Sequence, residues 1–345
     1  MDKILTISVA AYNSEGWLSR CLDSFIIEEV MDKLEVIIVN DGSTDATHDI
    51  ASDYCKRYPD VFRLIDKENG GHGSTINTSL KAANGKYYKL VDSDDWVEKD
   101  GMIKLVHALG KTDADLVLNP FYEVENDLVS KKLCTCLEKN RYNGIVPGEV
   151  DDLSRVADGI DLLMHGMTYR TDRLKKNNVK IDEHCLYVDT EFTVLYFFGV
   201  ANVMVLEEPV YDYLNGTEVQ SMNMKNVFRH IDEMMKVMIR LEKAYADRLE
   251  KNDEANSKVI YRLLSIKIPG TYRYILSMDD MKLSRKKLIS FDRVQMNRYR
   301  SLYDAMLKDG CRTYKLLSVM RMMRFRFYGM FTAIVRFHNK KKYGA

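Results

Sequence analysis

Four short segments in the first hundred residues hold the residue types that bind charged ligands and move protons. They are Ala11-Tyr12-Asn13-Ser14-Glu15, Asn40-Asp41-Gly42-Ser43-Thr44-Asp45, Asp66-Lys67-Glu68-Asn69-Gly70-Gly71-His72-Gly73 and Asp92-Ser93-Asp94-Asp95-Trp96. The last has the most definite chemistry. Asp92 and Asp94 are two positions apart with Ser93 between them, and carboxylates crowded in this way repel each other. A divalent cation relieves the repulsion. Hard oxygen donors in an open site suit Mg2+ or Mn2+, with positions left for phosphate oxygens. The competing reading is that Asp94 or Asp95 caps the next helix. Asp41 can accept from a nucleobase imide N–H or a ribose hydroxyl, or it can simply start the Gly42-Ser43 turn. The Gly70-Gly71-His72-Gly73 run lets backbone approach a ligand closely and opens a helix. It lacks the spacing of an ATPase phosphate loop and of a dinucleotide fingerprint. His72 and His165 can each touch phosphate or acceptor, or face solvent or core instead.

These segments owe their placement to the elements before them. Ile4–Ala10, Leu34–Val39, Val61–Ile65, Lys86–Val91 and Asp115–Leu118 read as β-rich apolar runs. Between them, Glu15–Glu28, Asp45–Tyr58 (with Thr44 or Asp45 as N-cap), Ser74–Ala83 and Lys99–Leu109 have helical spacing. Strand–helix alternation with near-continuous apolar strands predicts a mainly parallel α/β sheet covered on both faces. Ligands of such sheets bind at the carboxyl ends of the strands, where all four polar segments fall. Residues 120–220 are less regular. Phe121–Arg141 reads as an excursion of strands or loops, Asp151–His165 and Asp189–Phe198 as helices, and Asn202–Leu206 and Val210–Tyr213 as strands. From Asn223 onward the pattern is helical. Two regions are therefore expected, 1–220 and 221–345.

Val9-Ala10-Ala11-Tyr12-Asn13-Ser14-Glu15, Val39-Asn40-Asp41-Gly42-Ser43-Thr44-Asp45, Asn69-Gly70-Gly71 and Leu90-Val91-Asp92-Ser93-Asp94-Asp95 resemble, in order and spacing, family 2 of the inverting nucleotide-sugar glycosyltransferases. The resemblance extends more loosely to about residue 220. It implies the type A glycosyltransferase fold, a Rossmann-like mixed, mainly parallel sheet, with a UDP-sugar donor and Mg2+ or Mn2+. By the same resemblance Ala11, Tyr12, Asn13 and Glu15 border the nucleotide, and Asp41 binds uracil. Lys67 and the Gly70–Gly71 turn close over base and ribose. Asp92 touches ribose or metal-bound phosphate, with Ser93 beside it, and Asp94 is the main metal ligand. Family members carry a Glu-Asp pair about a hundred residues later whose Asp is the catalytic base. Here Val188-Asp189-Thr190-Glu191 stands in that place. Val188 replaces the Glu, so Asp189 is the expected base and Glu191 the alternative. Tyr211–Tyr213, Gln220 and Ser221 resemble the Tyr-rich segment near the diphosphate. The implied activity is transfer of a sugar to a hydroxyl of a cell-surface glycan or lipid-linked oligosaccharide. The alternatives are a catalytically inactive sugar-nucleotide-binding scaffold at the membrane, which Val188 would fit, and a haloacid-dehalogenase-like phosphatase. The latter's D-x-D normally lies on an early strand, whereas here three strand–helix units come first.

Composition is that of an ordinary globular protein. Of 345 residues, 46% are hydrophobic and 30% charged, with 18 Gly and five Pro, which excludes global disorder and collagen-like fibre. The net charge of zero hides a split. Residues 1–220 carry 39 acidic and 23 basic side chains, and residues 221–345 carry 12 and 28. Six scattered cysteines, with Cys134 and Cys136 the only close pair, read as reduced thiols of a cytoplasmic protein. The first apolar run reads as a strand rather than a signal core. The longest, Phe192–Leu206, contains Thr193, Gly199 and Asn202 and falls short of the roughly 18 clean residues of a membrane span. Residues 312–345 hold nine Lys and Arg and no acid. In them Leu316, Leu317, Met320, Met323, Phe327 and Phe331 can share one helix face, flanked by Arg321 and Arg324, with Lys340-Lys341-Lys342 following. That pattern suits peripheral contact with an anionic membrane, here the inner face of the plasma membrane. Packing against the acidic region and a homodimer contact are the alternatives. No nucleic-acid module is present in the sequence, so no nucleic-acid partner is expected.

Overall fold

The computed structural model describes residues 3–138, 144–216, 224–251 and 253–343, the last seven by backbone alone. Gln220, Ser221, Arg141 and the side chains of Lys340, Lys341 and Lys342 lie outside the described residues. The chain forms two compact units, residues 1–218 with 254–259 and residues 219–253 with 260–345.

The first unit opens with strands β1 (Leu5–Ala11), β2 (Leu34–Asn40), β3 (Phe62–Asp66) and β4 (Tyr87–Asp92), alternating with helices α1 (Leu18–Asp23), α2 (Thr47–Arg57) and α3 (His72–Ala82). Every residue of β2 is buried, as two helical layers over a parallel sheet require. The polar residues of β1 are satisfied inside the core: Thr6 Oγ1 donates to Glu35 at 2.6 Å and Ser8 Oγ to Ser79 at 2.7 Å. After β4 the chain makes β5 (Trp96–Val97), α4 (Lys99–Leu109), β6 (Leu116–Leu118), β7 (Phe121–Val124), β8 (Lys131–Cys134), β9 (Val150–Asp152) and β10 (Met167–Arg170). Then come α5 (Thr171–Asn177), α6 (Val188–Leu195), β11 (Asn202–Val205) and β12 (Tyr211–Leu214). The main sheet runs β3-β2-β1-β4-β10-β6-β11-β9, and a small sheet runs β5-β12-β7-β8. Strand β10 is antiparallel to both β4 and β6, so the sheet is mixed.

The expected helix over Asp151–His165 does not form. Residues 150–152 pair with β11 instead, Asp152 caps a single 3-10 turn through Ser154 N at 2.8 Å, and a second such turn spans Met164–Gly166. The edge of the sheet offers a full set of backbone partners, which outweighs local helical pattern. The expected helix over Glu15–Glu28 shortens to Leu18–Asp23.

The second unit is helical: α7 (Met224–Arg229), α8 (Ile231–Leu249), α9 (Glu254–Ser277, shared with the first unit), α10 (Met281–Arg298), α11 (Arg300–Lys308), α12 (Arg312–Met322) and α13 (Tyr328–Tyr343). The single apolar face expected along residues 316–331 is broken. Between α12 and α13 the chain turns through Arg324, Phe325 and Phe327, all at positive φ. Leu317, Met320 and Phe331 are core residues, whereas Met323 and Phe327 are exposed. Arg321 is turned inward, 2.9 Å from Asp292 and 4.4 Å above the Tyr303 ring. An apolar face that meets a core cannot also meet lipid, so the expected lipid-facing stripe does not form from these residues. Among the described residues, no helix is long and apolar enough to cross a membrane.

Candidate active site

Strand register sets the site. Ala11 pairs with Asn40, Asn40 with Asp66, and Ala10 with Asp92. The four carboxyl ends therefore lie in one row, and the loops after them are neighbours. Side chains lace the first two loops together. Asn13, at φ 48°, takes the Thr44 amide on Oδ1 at 2.9 Å, and its own amide donates to Ser43 Oγ at 3.0 Å. Glu15 Oε2 accepts from Ala46 N at 2.9 Å, and Asp45 Oδ2 accepts from Glu15 N at 3.1 Å. The N-cap of α2 is consequently Ala46 rather than Thr44 or Asp45, with Asp45 Oδ1 receiving the Thr47 amide at 3.0 Å. Ala11 is buried at the strand end and Tyr12 is exposed beside it.

Asp41 is buried and organises the third loop. Its Oδ1 receives Lys67 Nζ at 2.7 Å, Gly70 N at 2.9 Å and Ser74 Oγ at 3.2 Å; its Oδ2 receives Gly71 N at 2.7 Å. Gly71, at φ 79°, is the N-cap of α3, a left-handed position that favours glycine. A carboxylate held by a lysine and two backbone amides is charge-assisted and fixed in direction. Asp41, Lys67 and Gly71 thus meet at one place, and Asp41 shapes the loop.

The acidic group lies at the end of β4. Burial pushes Asp94 up to about 6, with Asp92 adding to the effect. Burial also raises Asp92, where His72 opposes the rise and Asp189 reinforces it. His72 Nε2, at the first residue of α3, is 3.5 Å from Asp92 Oδ1. Asp189 lies in the first turn of α6, behind a left-handed Tyr187. Asp92, Asp94, His72 and Asp189 are therefore in one electrostatic neighbourhood, although they come from three different elements. Asp95 is different. It is buried and receives Tyr211 Oη at 2.5 Å and the Leu214 amide at 2.8 Å, so it ties the main sheet to the small one. Neither Asp94 nor Asp95 caps α4, whose N-cap is Glu98. Ser93 Oγ lies 2.7 Å from Ser14 Oγ and joins the first and fourth loops.

The two candidate bases are separated by burial. Asp189 is half-buried, whereas Glu191 is wholly buried and takes the Asp182 amide on Oε2 at 2.9 Å. Glu191 thus holds the loop before α6. Among the described residues, no group of three or more His, Cys, Asp or Glu side chains is placed to hold a metal ion. Two carboxylates are nevertheless a fitting donor set for Mg2+ or Mn2+, which keep most positions for water and substrate phosphate. The oxygens are hard, partly desolvated and mutually repelled.

The sequence reading missed Lys89. It is fully buried in β4, donates to His165 O at 2.6 Å and lies 5.5 Å from the Tyr211 ring centroid. Burial pulls it down to about 7. Its signal was visible: a lone lysine inside Tyr87-Tyr88-Lys89-Leu90-Val91. The His165 ring lies among aromatic side chains, tilted against Tyr213 at 4.3 Å and Phe121 at 5.0 Å and edge-on to Tyr211 at 5.0 Å. Tyr211 Oη also accepts the Asp92 amide at 3.1 Å, so the expected Tyr-rich segment reaches the end of β4 through Tyr211.

A mixed sheet with a loop-lined row of parallel strand ends and an acidic group at the fourth is the type A glycosyltransferase fold. The description "Glycosyl transferase family 2" matches residues 6–178, and the chain belongs to that family and is a glycosyltransferase. Its relatives include the uncharacterized glycosyltransferase EpsJ of Bacillus subtilis, 26% identical over 300 residues and covering 86% of each chain. The poly(ribitol-phosphate) beta-glucosyltransferase of Bacillus spizizenii is 27% identical over 214 residues, 61% of this chain and 32% of that one. Among solved structures, Staphylococcus aureus TarS 1-349 in complex with UDP-GlcNAc superposes with a TM-score of 0.60 at 18% identity, covering 86% of this chain and 92% of that one. That likeness is one of fold. Neither the phosphatase nor the inactive-scaffold alternative is favoured by this membership.

Proposed function

We propose that the enzyme transfers a hexosyl group from a UDP-sugar, with inversion, to a hydroxyl of a cell-surface glycan or lipid-linked oligosaccharide, as a step of polysaccharide biosynthesis. The observation that carries this reading is the convergence of Asp92, Asp94 and Asp189 on one strand end, beside the Asp41–Lys67–Gly71 cradle. The cradle receives the base and ribose, with Ala11, Tyr12, Asn13 and Glu15 along the edge. The amides and hydroxyls of the first two loops are already fixed by one another, so little ordering is needed when the nucleotide arrives. Asp94, with Asp92, would hold Mg2+ or Mn2+ beside the diphosphate, and Ser93 borders the donor. The ion supplies charge neutralisation for the departing nucleoside diphosphate.

Asp189 is the proposed general base. It takes the proton of the acceptor hydroxyl as that oxygen attacks the anomeric carbon from the face opposite the leaving group. Its position in the first turn of α6, open enough to meet an acceptor, supports this role, and the burial of Glu191 opposes the alternative. The TarS complex with UDP-GlcNAc, on the same fold, supports the choice of donor class.

The test is a thermal-shift and turnover screen of UDP, GDP, CMP and their sugars with and without Mn2+. A ligand at 100 times its dissociation constant adds about 2.7 kcal/mol to the folded state. A metal-dependent shift with UDP or one UDP-sugar, followed by sugar release or transfer, is the expected result. A folded sample that responds to no uridine nucleotide overturns the donor assignment.

A further inference from the structure

The α12–α13 turn carries an apolar surface that the core does not use. Along α12 the exposed positions are Arg312, Lys315, Val319 and Met322, so the outward face changes from basic to apolar toward the turn. At the turn Met322 is 78% exposed and Phe327 68%, with Arg324 and Arg326 exposed between them. In α13 the inward positions Tyr328, Phe331, Thr332 and Val335 are buried. The outward positions over the same two turns are Gly329, Met330, Ala333 and Ile334, all exposed and none charged. An ordinary surface helix is polar on its outward face. Here the outward face is apolar, with Met330 at 52% and Ile334 at 55% exposure.

Two further observations indicate what meets it. No acid occurs anywhere in residues 312–345, although nine Lys and Arg do. A protein partner surface is normally met by charges of both signs, whereas an anionic bilayer selects for one. The turn also holds Arg324, Phe325 and Phe327 at φ 51°, 55° and 59°, a left-handed backbone that costs energy for non-glycine side chains. That conformation is what projects Phe327 outward while Leu317, Met320 and Phe331 stay in the core.

We propose that this turn and the outward face of α13 dock on an anionic lipid surface, with Met322, Phe327, Met330 and Ile334 entering the interface and Arg324 and Arg326 at headgroup level. The lipid-facing residues are thus different from those of the apolar stripe legible in the sequence. The inference is independent of donor and acceptor chemistry, since it concerns binding alone.

The experiment is flotation of the full chain with vesicles of phosphatidylcholine alone or with about one-third phosphatidylglycerol. The chain should float with the anionic vesicles and not with the neutral ones, and raised salt should release it as screening shortens the reach of the arginines. Arg324→Asn with Arg326→Gln should weaken partitioning about 25-fold, roughly fivefold for each charge. Phe327→Asn with Ile334→Asn should also release the chain, while the melting temperature is kept. Asparagine suits the left-handed positions 324 and 327. Equal binding to neutral and anionic vesicles, or none to either, overturns the proposal. So does a dimer in sedimentation velocity that the Phe327→Asn, Ile334→Asn variant makes monomeric, because the face then joins copies of the chain. The salt and lipid arms use the unmodified protein, so they decide even if a variant does not fold.

Discussion

Both units bury carboxylates that are pushed above their ordinary range, and they do so in opposite settings. In the first unit Asp92, Asp94 and Asp95 stand together at one strand end, and each is raised by burial and then by acidic neighbours. In the helical unit burial raises Asp292, which Arg321 opposes, and it raises Glu242, which no acidic neighbour reinforces. Glu242 is fully buried in α8, raised to about 8 by burial, and bonded to Gln295 Nε2 at 2.5 Å. A crowd of acids at a rim is relieved by a cation or a charged ligand brought from outside. A lone acid in a core is relieved by keeping its proton. Contacts separate the cases: hydrogen bonds hold Asp95 and Glu242 in place, whereas Asp92 and Asp94 are the proposed ligand-binding pair.

The comparison breaks most visibly at Asp94. Asp94→Ala should lower UDP-sugar turnover by about a thousandfold or more, since a unit charge pair at 4 Å is worth about 4 kcal/mol at an effective dielectric near 20. The same change should leave the metal-free protein at least as stable, because it removes a repelled charge. A near-normal rate at saturating metal would sink the metal assignment. Asp189→Asn should cost about a hundred- to ten-thousandfold in kcat with donor KM little changed. Steady-state kinetics that show a KM effect instead would move Asp189 from the acceptor side to the donor.

Glu191→Ala sharpens the contrast with Asp189. It strands the Asp182 amide and should cost about 1–3 kcal/mol of stability in denaturant unfolding. Glu242→Gln is the most diagnostic change, because its effect is one of slope with pH and not of turnover. The folded-state value of about 8 lies above an unfolded value near 4.3. Glu242 therefore contributes stability that is complete below about pH 4 and is lost as pH rises through about 8, with a slope of up to about 1.4 kcal/mol per pH unit. The variant should flatten that slope in melts across pH 5–8 without touching turnover. An unchanged slope would mean that Glu242 is not the titrating group.

Much of the site was legible because its parts are local. Val36-Ile37-Ile38-Val39 followed by Asn40-Asp41-Gly42 announces a buried strand and its polar end without reference to anything distant. The same holds for Leu90-Val91 before Asp92. What was not legible involved a choice between partners far apart in the chain. Asp189 and Glu191 are two residues apart and both acidic, and only the course of the 181–188 segment turns one to the rim and the other into the core. Lys89 stood out in its apolar run, but its contacts come from His165 and Met167, more than seventy residues away. The 151–165 segment has a helical pattern, yet the free edge of β11 claims its first residues.

Local sequence pattern carries the alternation of strands and helices, the polar segments at the strand ends, and the opposite charges of the two regions. Periodicity and turn residues act over a few neighbours, and the unfolded chain already contains them. Packing settles which of Asp189 and Glu191 is wholly buried, which acid ties two sheets together and which face of the basic tail is left outside the core. Those outcomes depend on burial and on long-range hydrogen bonds, and the same side chain type can serve any of the three until packing removes it from water.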